Sequence, residues 1–210
     1  MKLYDMRVAP NPRRVRIFLA EKGIEIPTVE INIRTGENLQ PGFLAVNPRG
    51  VLPALELDDG TVIDESTAIC RYFEALQPDP PLLGTTPLEI ALVECWNRRI
   101  EFDAGQAVID AFRNSYPPYA DRAVPGRSGT PAIPALVERG RVRLAEFFPV
   151  IEQRLRESEF VAGAKFSLAD ITLLCITDFA RALKMTVPED DVPNFLRWHA
   201  TVSARPSASA

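Results

Sequence analysis

The chain has 210 residues, 46% hydrophobic and 25% charged, ordinary globular proportions with room for one large core or two small ones. A net charge of −4 at pH 7 offers no basic surface to a phosphate backbone, so nucleic acid is not an expected partner. Cys70, Cys95 and Cys175 form an odd, widely spaced set inside apolar helical patterns, which predicts reduced, buried thiols and a reducing compartment.

In chain order, Met1–Asp5 reads as a short strand. Arg13–Lys22 reads as a helix with Val15, Ile17, Phe18 and Leu19 on its buried side and Gly23 placed to end it. Residues 27–33 alternate, with Val29, Ile31 and Ile33 expected inward as in a strand. Residues 34–50 are rich in glycine and proline and read as a loop with a short irregular helix. Pro53–Leu57 and Thr61–Ile63 pair across Asp58-Asp59-Gly60, a strong hairpin signal. Ser66–Leu76 closes this unit as a helix, giving a compact β-α-β-loop-β-β-α sheet flanked by helices.

Pro78, Pro80, Pro81, Gly84 and Pro87 mark a linker over 79–87, dividing the chain into 1–78 and 88–210. Beyond the linker the period is helical, over roughly 88–114, 132–157, 168–183 and 193–204. Pro117-Pro118 and the run Pro125–Pro134 interrupt the pattern. Ser167-x-x-Asp170 is a capping box with Phe166 and Ile171 as its hydrophobic staple, so Asp170 is expected to be structural. The only histidine, His199, has no sequence cluster around it, and no metal site is expected. The longest apolar run, Ile171–Ile176, is far too short to span a bilayer. No charged-then-apolar leader opens the chain, so the cytoplasm is the expected compartment.

Chemistry concentrates in two short stretches. Pro53 opens the strand of Val51-Leu52-Pro53-Ala54-Leu55 and cannot donate to a sheet ladder. If its peptide bond is cis, the backbone of Leu52 turns outward, free to pair with the backbone of a ligand. Asp64-Glu65-Ser66 opens a helix, where a hydroxyl and unpaired N–H groups hold a carboxylate, and Glu65 can hold an ammonium group. Together these elements suit a small zwitterionic peptide.

Lys2-Leu3-Tyr4-Asp5, Pro10-Asn11-Pro12-Arg13-Arg14-Val15, Asn47-Pro48-Arg49-Gly50-Val51-Leu52-Pro53, Asp64-Glu65-Ser66 and Phe166-Ser167-Leu168-Ala169-Asp170-Ile171, in this order and spacing, resemble the glutathione transferase family. The resemblance covers 1–76, similar to its thioredoxin-like domain, and 88–210, similar to its all-helical domain. It implies a cytoplasmic homodimer that works in detoxification, binding reduced glutathione as co-substrate and attacking a small electrophile through a stabilised thiolate, with no metal and no membrane.

Carried over residue by residue, the resemblance assigns Leu52, Pro53, Glu65 and Ser66, with Val51 beside them, to glutathione. It also exposes departures. The position of the activating serine is Ala9, which has no donor, and Tyr4 lies too early in the first strand to replace it. Asn11 is then the candidate, because its side-chain amide can donate to sulfur; Pro-Asn here resembles the nu-type and related bacterial branches, many of which reduce disulfides with glutathione. Asn11 could also cap the helix, and the two roles can coexist. A lysine often holds the ligand's glycine carboxylate where this chain has Val51, leaving Asn38, Gln40 or Arg49 to compensate. Val8, Phe112, Arg113 and Tyr116 are candidates to line the acceptor pocket. Glu101 and Asp103 could reach the ammonium group of a neighbouring subunit's ligand, or be solvated charges. Glutathione-dependent disulfide reduction and a non-catalytic glutathione-binding module stand as alternatives.

Overall fold

Leu3 of the first strand sits directly opposite Leu55 of the third, and neither is exposed to solvent. The pair centres a four-stranded sheet of β1 (Lys2–Asp5), β2 (Thr28–Glu30), β3 (Ala54–Glu56) and β4 (Val62–Ile63), in the order β2-β1-β3-β4. β1 and β2 run parallel, as their crossover through helix α1 (Pro10–Lys22) requires, while β3 is antiparallel to both β1 and β4. The computed structural model describes residues 1–186 and 189–210. α1 packs against α3 (Ser66–Leu76), and a smaller apolar cluster of Tyr4, Met6, Ile31, Phe43, Leu52 and Ala54 gathers Phe43 of the short helix α2 (Pro41–Leu44).

Two details differ from expectation. α1 begins at Pro10 rather than Arg13, since prolines in the first turn lose no hydrogen bond there. β2 is shorter than predicted, and Val29 is 37% exposed, because β2 is an edge strand; Ile31 alone of the three expected side chains is fully buried. Gly23, at φ 65°, ends α1 as its sequence position predicts, and its N–H reaches the Ala20 carbonyl at 3.1 Å.

Lys22 fixes the stretch after α3 to the sheet unit. Its buried ammonium donates to the carbonyls of Gln77 (2.9 Å), Pro78 (3.2 Å) and Pro80 (2.6 Å) and pairs with Glu74 at 2.5 Å. There follow α4 (Pro87–Arg99), a π-helical turn (Ile100–Gly105) and α5 (Gln106–Ser115), in unbroken succession. α6 (Pro134–Glu157), α7 (Leu168–Ala182) and α8 (Pro193–Ser203) complete the helical part. Gly140 of α6 lets α5 approach closely, since a Cβ there would lie 2.4 Å from the Ala107 carbonyl oxygen. One hydrophobic core runs from Leu3 and Phe18 through Trp96 and Ile100 to Ile171 and Trp198.

Asp170 is structural. It is fully buried and accepts from the Ser167 N–H (2.9 Å), the Val161 N–H (2.8 Å) and the Trp198 indole (2.9 Å). Burial pushes its carboxyl up to about 6, with those donors pulling the other way. His199 is not isolated: its Nε2 lies 2.7 Å from Asp178, which also accepts from Arg13 at 2.7 Å. Chain-distant helices make this meeting, so no local cluster announced it. Cys70 and Cys175 are buried, as expected, but Cys95 is exposed on the outward face of α4. Burial raises both inner thiols, Cys175 to about 11, which makes them inert. Among the described residues no helix is long and apolar enough to cross a membrane, and no group of three acidic, histidine or cysteine side chains could hold a metal.

Candidate active site

A cavity of about 410 Å³ opens where the start of α1, the 49–53 loop and the start of α3 face α5 and α7. Asn11, Val51, Leu52, Pro53, Glu65 and Ser66 all line it, and so do Val8, Phe112 and Arg113 from the expected acceptor side. Tyr116 does not. It stacks behind Phe112 at 5.2 Å and 22°, and Tyr119 takes the wall position instead. The turn of Pro117–Tyr119 brings about this exchange, and its paired prolines gave no signal of which ring would face inward.

The start of α1 is unusually poor in donors. Ala9 occupies the N-cap and makes no side-chain cap. Pro10 and Pro12, at the first and third helical positions, have no N–H to offer. The Arg13 N–H is used within the helix, reaching the Ala9 carbonyl at 3.1 Å. Asn11 therefore carries the free donors here: its N–H and side-chain amide have no hydrogen-bond partner among the described residues. It does not cap the helix. Tyr4 is in the sheet core, with its hydroxyl on Glu56 at 2.7 Å.

Leu52 presents an unused backbone edge. Its bond to Pro53 is cis, and its N–H and C=O have no main-chain partner among the described residues. The neighbouring carbonyls are taken, Gly50 by the Asn38 amide at 2.7 Å and Val51 by the Asn47 amide at 3.0 Å. Ser66 is the first residue of α3, where the leading N–H groups lack helical partners. Its hydroxyl oxygen accepts from Arg14 at 2.8 Å, and the same guanidinium meets Glu101 at 2.7 Å. Glu101 also pairs with Arg98 at 2.9 Å, so it is committed within its own chain. Asp103 lies 4.0 Å from Arg143.

The cations on the wall are unequally placed. Arg49 is held by Asp64 at 3.1 Å and Glu65 at 2.8 Å. Asn38 is buried with its amide spent on Gly50, and Gln40 lies off the cavity wall. Arg34, which sequence reasoning missed, lines the cavity with no carboxylate within 4.0 Å among the described residues. No motif marks it; it is a loop residue brought in by folding. Phe179 of α7, also missed, packs edge-to-face on Phe112 at 5.1 Å and 84°. Residues 120–130 return across the sheet unit: Arg122 donates to the carbonyls of Ile33 (3.1 Å) and Arg34 (2.9 Å). A Cβ on Gly126 would lie 2.0 Å from the Arg49 carbonyl oxygen, and its φ is 76°, so glycine is needed for this contact.

Residues 8–76 match the sequence family described as glutathione S-transferase, N-terminal domain, and residues 116–206 match glutathione S-transferase, C-terminal domain. Glutathione S-transferase 2 of Saccharomyces cerevisiae is 38% identical over 212 residues, covering 99% of this chain and 87% of the relative. The crystal structure of Gtt2 from Saccharomyces cerevisiae superposes with a TM-score of 0.90 at 37% identity, covering 99% of this chain and 98% of the other. A glutathione S-transferase of class Gtt2 from Vibrio parahaemolyticus gives 0.83 at 40% identity, covering 99% and 95%.

Proposed function

The chain belongs to the glutathione S-transferase family, and from that premise we propose how its own residues carry out the transfer of glutathione to an electrophile. It is a glutathione transferase with a thioredoxin-like sheet unit and a helical unit.

The γ-glutamyl carboxylate meets the start of α3, where the Ser66 hydroxyl, already accepting from Arg14, turns its proton toward the ligand. Glu65 faces the ammonium group. The cysteinyl backbone pairs with the free edge of Leu52, flanked by Val51 and Pro53. Arg34 receives the glycine carboxylate, because Arg49 is already neutralised by two acids and Val51 has no charge. The observation that carries the mechanism is the bare amide of Asn11 at a helix start stripped of other donors. A thiol of pKa about 8.5 needs a donor and a positive helix end to ionise near neutrality. Asn11 supplies the donor, and α1, in whose first turn it sits, supplies the positive end.

The reaction then balances simply. The thiol gives its proton to water, and the sulfur lone pair forms the new bond to carbon. The displaced electron pair leaves with the leaving group, or passes into the acceptor and is protonated there in an addition. The protein contributes orientation and anion stabilisation, with no covalent nucleophile of its own.

Turnover of glutathione with an aryl halide tests this reading against glutathione-dependent disulfide reduction, which Ala9 and Asn11 also motivate. Conjugation with negligible activity on a mixed disulfide is expected, and the reverse would favour the reductase. We further assign the segment 79–87 as the linker between units 1–78 and 88–210. The protein would be a cytoplasmic homodimer serving detoxification, associating through the exposed ridge of Leu88, Leu92 and Cys95 on α4. A monomer by sedimentation at micromolar concentration would contradict the dimer.

A further inference from the structure

We infer that the electrophile taken by this cavity carries a carboxylate, received by Arg113 on the α5 wall. The inference rests on the transferase reading above and names its substrate class. Arg113 is half-buried, and three carbonyls and a ring fix its guanidinium. Nε donates to Ala123 at 3.1 Å, Nη2 donates to Arg122 at 2.5 Å and Val124 at 3.4 Å, and the Tyr119 ring centroid lies 4.4 Å away. The second terminal nitrogen, Nη1, bonds to nothing among the described residues, and Arg113 is among the residues lining the cavity.

The absence of a counter-ion sets this arginine, with Arg34 and Arg122 beside the cavity, apart from the arginines of α1. Arg13, Arg14 and Arg16 are also withdrawn from solvent, and each has its acid, Asp178, Glu101 and Asp5 respectively, within 2.7 Å. Arg113 has no carboxylate within 4.0 Å among the described residues, while the acids on the cavity wall, Asp64 and Glu65, both pair with Arg49 instead. Burial presses its pKa down, although a guanidinium keeps its charge. Arg122, 5.2 Å from the Tyr119 ring on its own account, adds to the positive potential of this wall. A half-buried guanidinium held only by neutral carbonyls keeps its charge uncompensated, and an anion arriving with the substrate supplies the missing counter-charge. Phe112 and Phe179 lie alongside to receive the carbon body. A fixed guanidinium beside an apolar wall is how a pocket selects an aromatic or unsaturated acid.

A matched pair of electrophiles tests this: a chloronitrobenzoate and the corresponding chloronitrobenzamide. In both, sulfur bonds to the ring carbon, chloride leaves with the bonding pair, and the thiol proton goes to solvent. Each kcat/KM is divided by the uncatalysed rate constant with glutathione, which removes the difference in intrinsic reactivity. The wild type is expected to favour the benzoate by about tenfold or more, the scale of one charge-assisted hydrogen bond. In Arg113→Gln the normalised ratio should fall to about one, a change that mere loosening of the 122–124 turn would not produce. A wild-type ratio near one overturns the inference without any variant, as does a preference that survives in Arg113→Gln. Conjugation of both compounds without preference leaves the transferase reading standing, whereas no turnover of either removes that reading and this inference with it.

Discussion

A single nitrogen of Arg14 holds the Ser66 hydroxyl oxygen at 2.8 Å and a Glu101 carboxylate oxygen at 2.7 Å. The contact joins three elements, α1, the start of α3 and the π-helical turn, and only its Ser66 member lines the cavity. Because Ser66 accepts from a buried cation, its own proton is free for the ligand. Ser66→Ala is accordingly expected to raise KM for glutathione by about tenfold, the loss of one hydrogen bond to a charged group, with kcat within about twofold of wild type. Steady-state kinetics at saturating electrophile measures this. A fall in kcat at unchanged KM would take Ser66 out of ground-state binding.

Arg34 gives a second prediction, readable through the ligand rather than the protein alone. If it holds the glycine carboxylate, Arg34→Ala should weaken glutathione by about tenfold while leaving γ-glutamylcysteine, which lacks the glycine, bound as in the wild type. Calorimetric titration of both ligands on both proteins closes the cycle. Equal weakening of the two ligands would assign Arg34 elsewhere.

The succession of strands and helices along the chain, all the long helices and the two halves of the cavity were legible because each leaves a local signal. These signals are the proline opening the apolar strand at Ala54-Leu55, the glycine after Lys22, the hairpin turn at Asp59-Gly60 and the capping box at Ser167. Leu52, Glu65 and Ser66 were legible for the same reason, since a proline before a strand and an acid-serine pair before a helix are contiguous. Arg34, Tyr119 and Phe179 were not, because they reach the cavity only through the path of loops and the packing of α7 on α5. Cys95 misled because its apolar neighbours Leu88 and Leu92 are themselves exposed. The periodicity there marks an outer face and not a core.

The link from α1 to the end of the chain makes stability depend on pH. Burial would raise Asp178, but donors from His199 and Arg13, with their charge, outweigh it and leave the carboxyl below its ordinary value. A depressed carboxyl stabilises the fold above its unfolded pKa of about 3.9, and that stability fades as pH falls through the lower folded value. The gap in stability between wild type and Asp178→Asn should therefore be on the order of 1 kcal/mol at pH 6 and close below about pH 4. Denaturant melts across that range test it. A gap that widens on acidification would contradict the sign.

Asn11 bears the central claim, that one amide at a helix start depleted of donors replaces the missing hydroxyl. Its side chain is predicted to act on the anion far more than on the neutral thiol, so Asn11→Ala should lower kcat by about tenfold or more while glutathione affinity changes little. The most direct test is an ultraviolet difference titration of the thiolate of bound glutathione in the two proteins. The thiol pKa should lie well below the free value of about 8.5 in the wild type and return toward it in Asn11→Ala. A bound thiol equally acidic in both proteins, or never more acidic than free glutathione, would contradict the account.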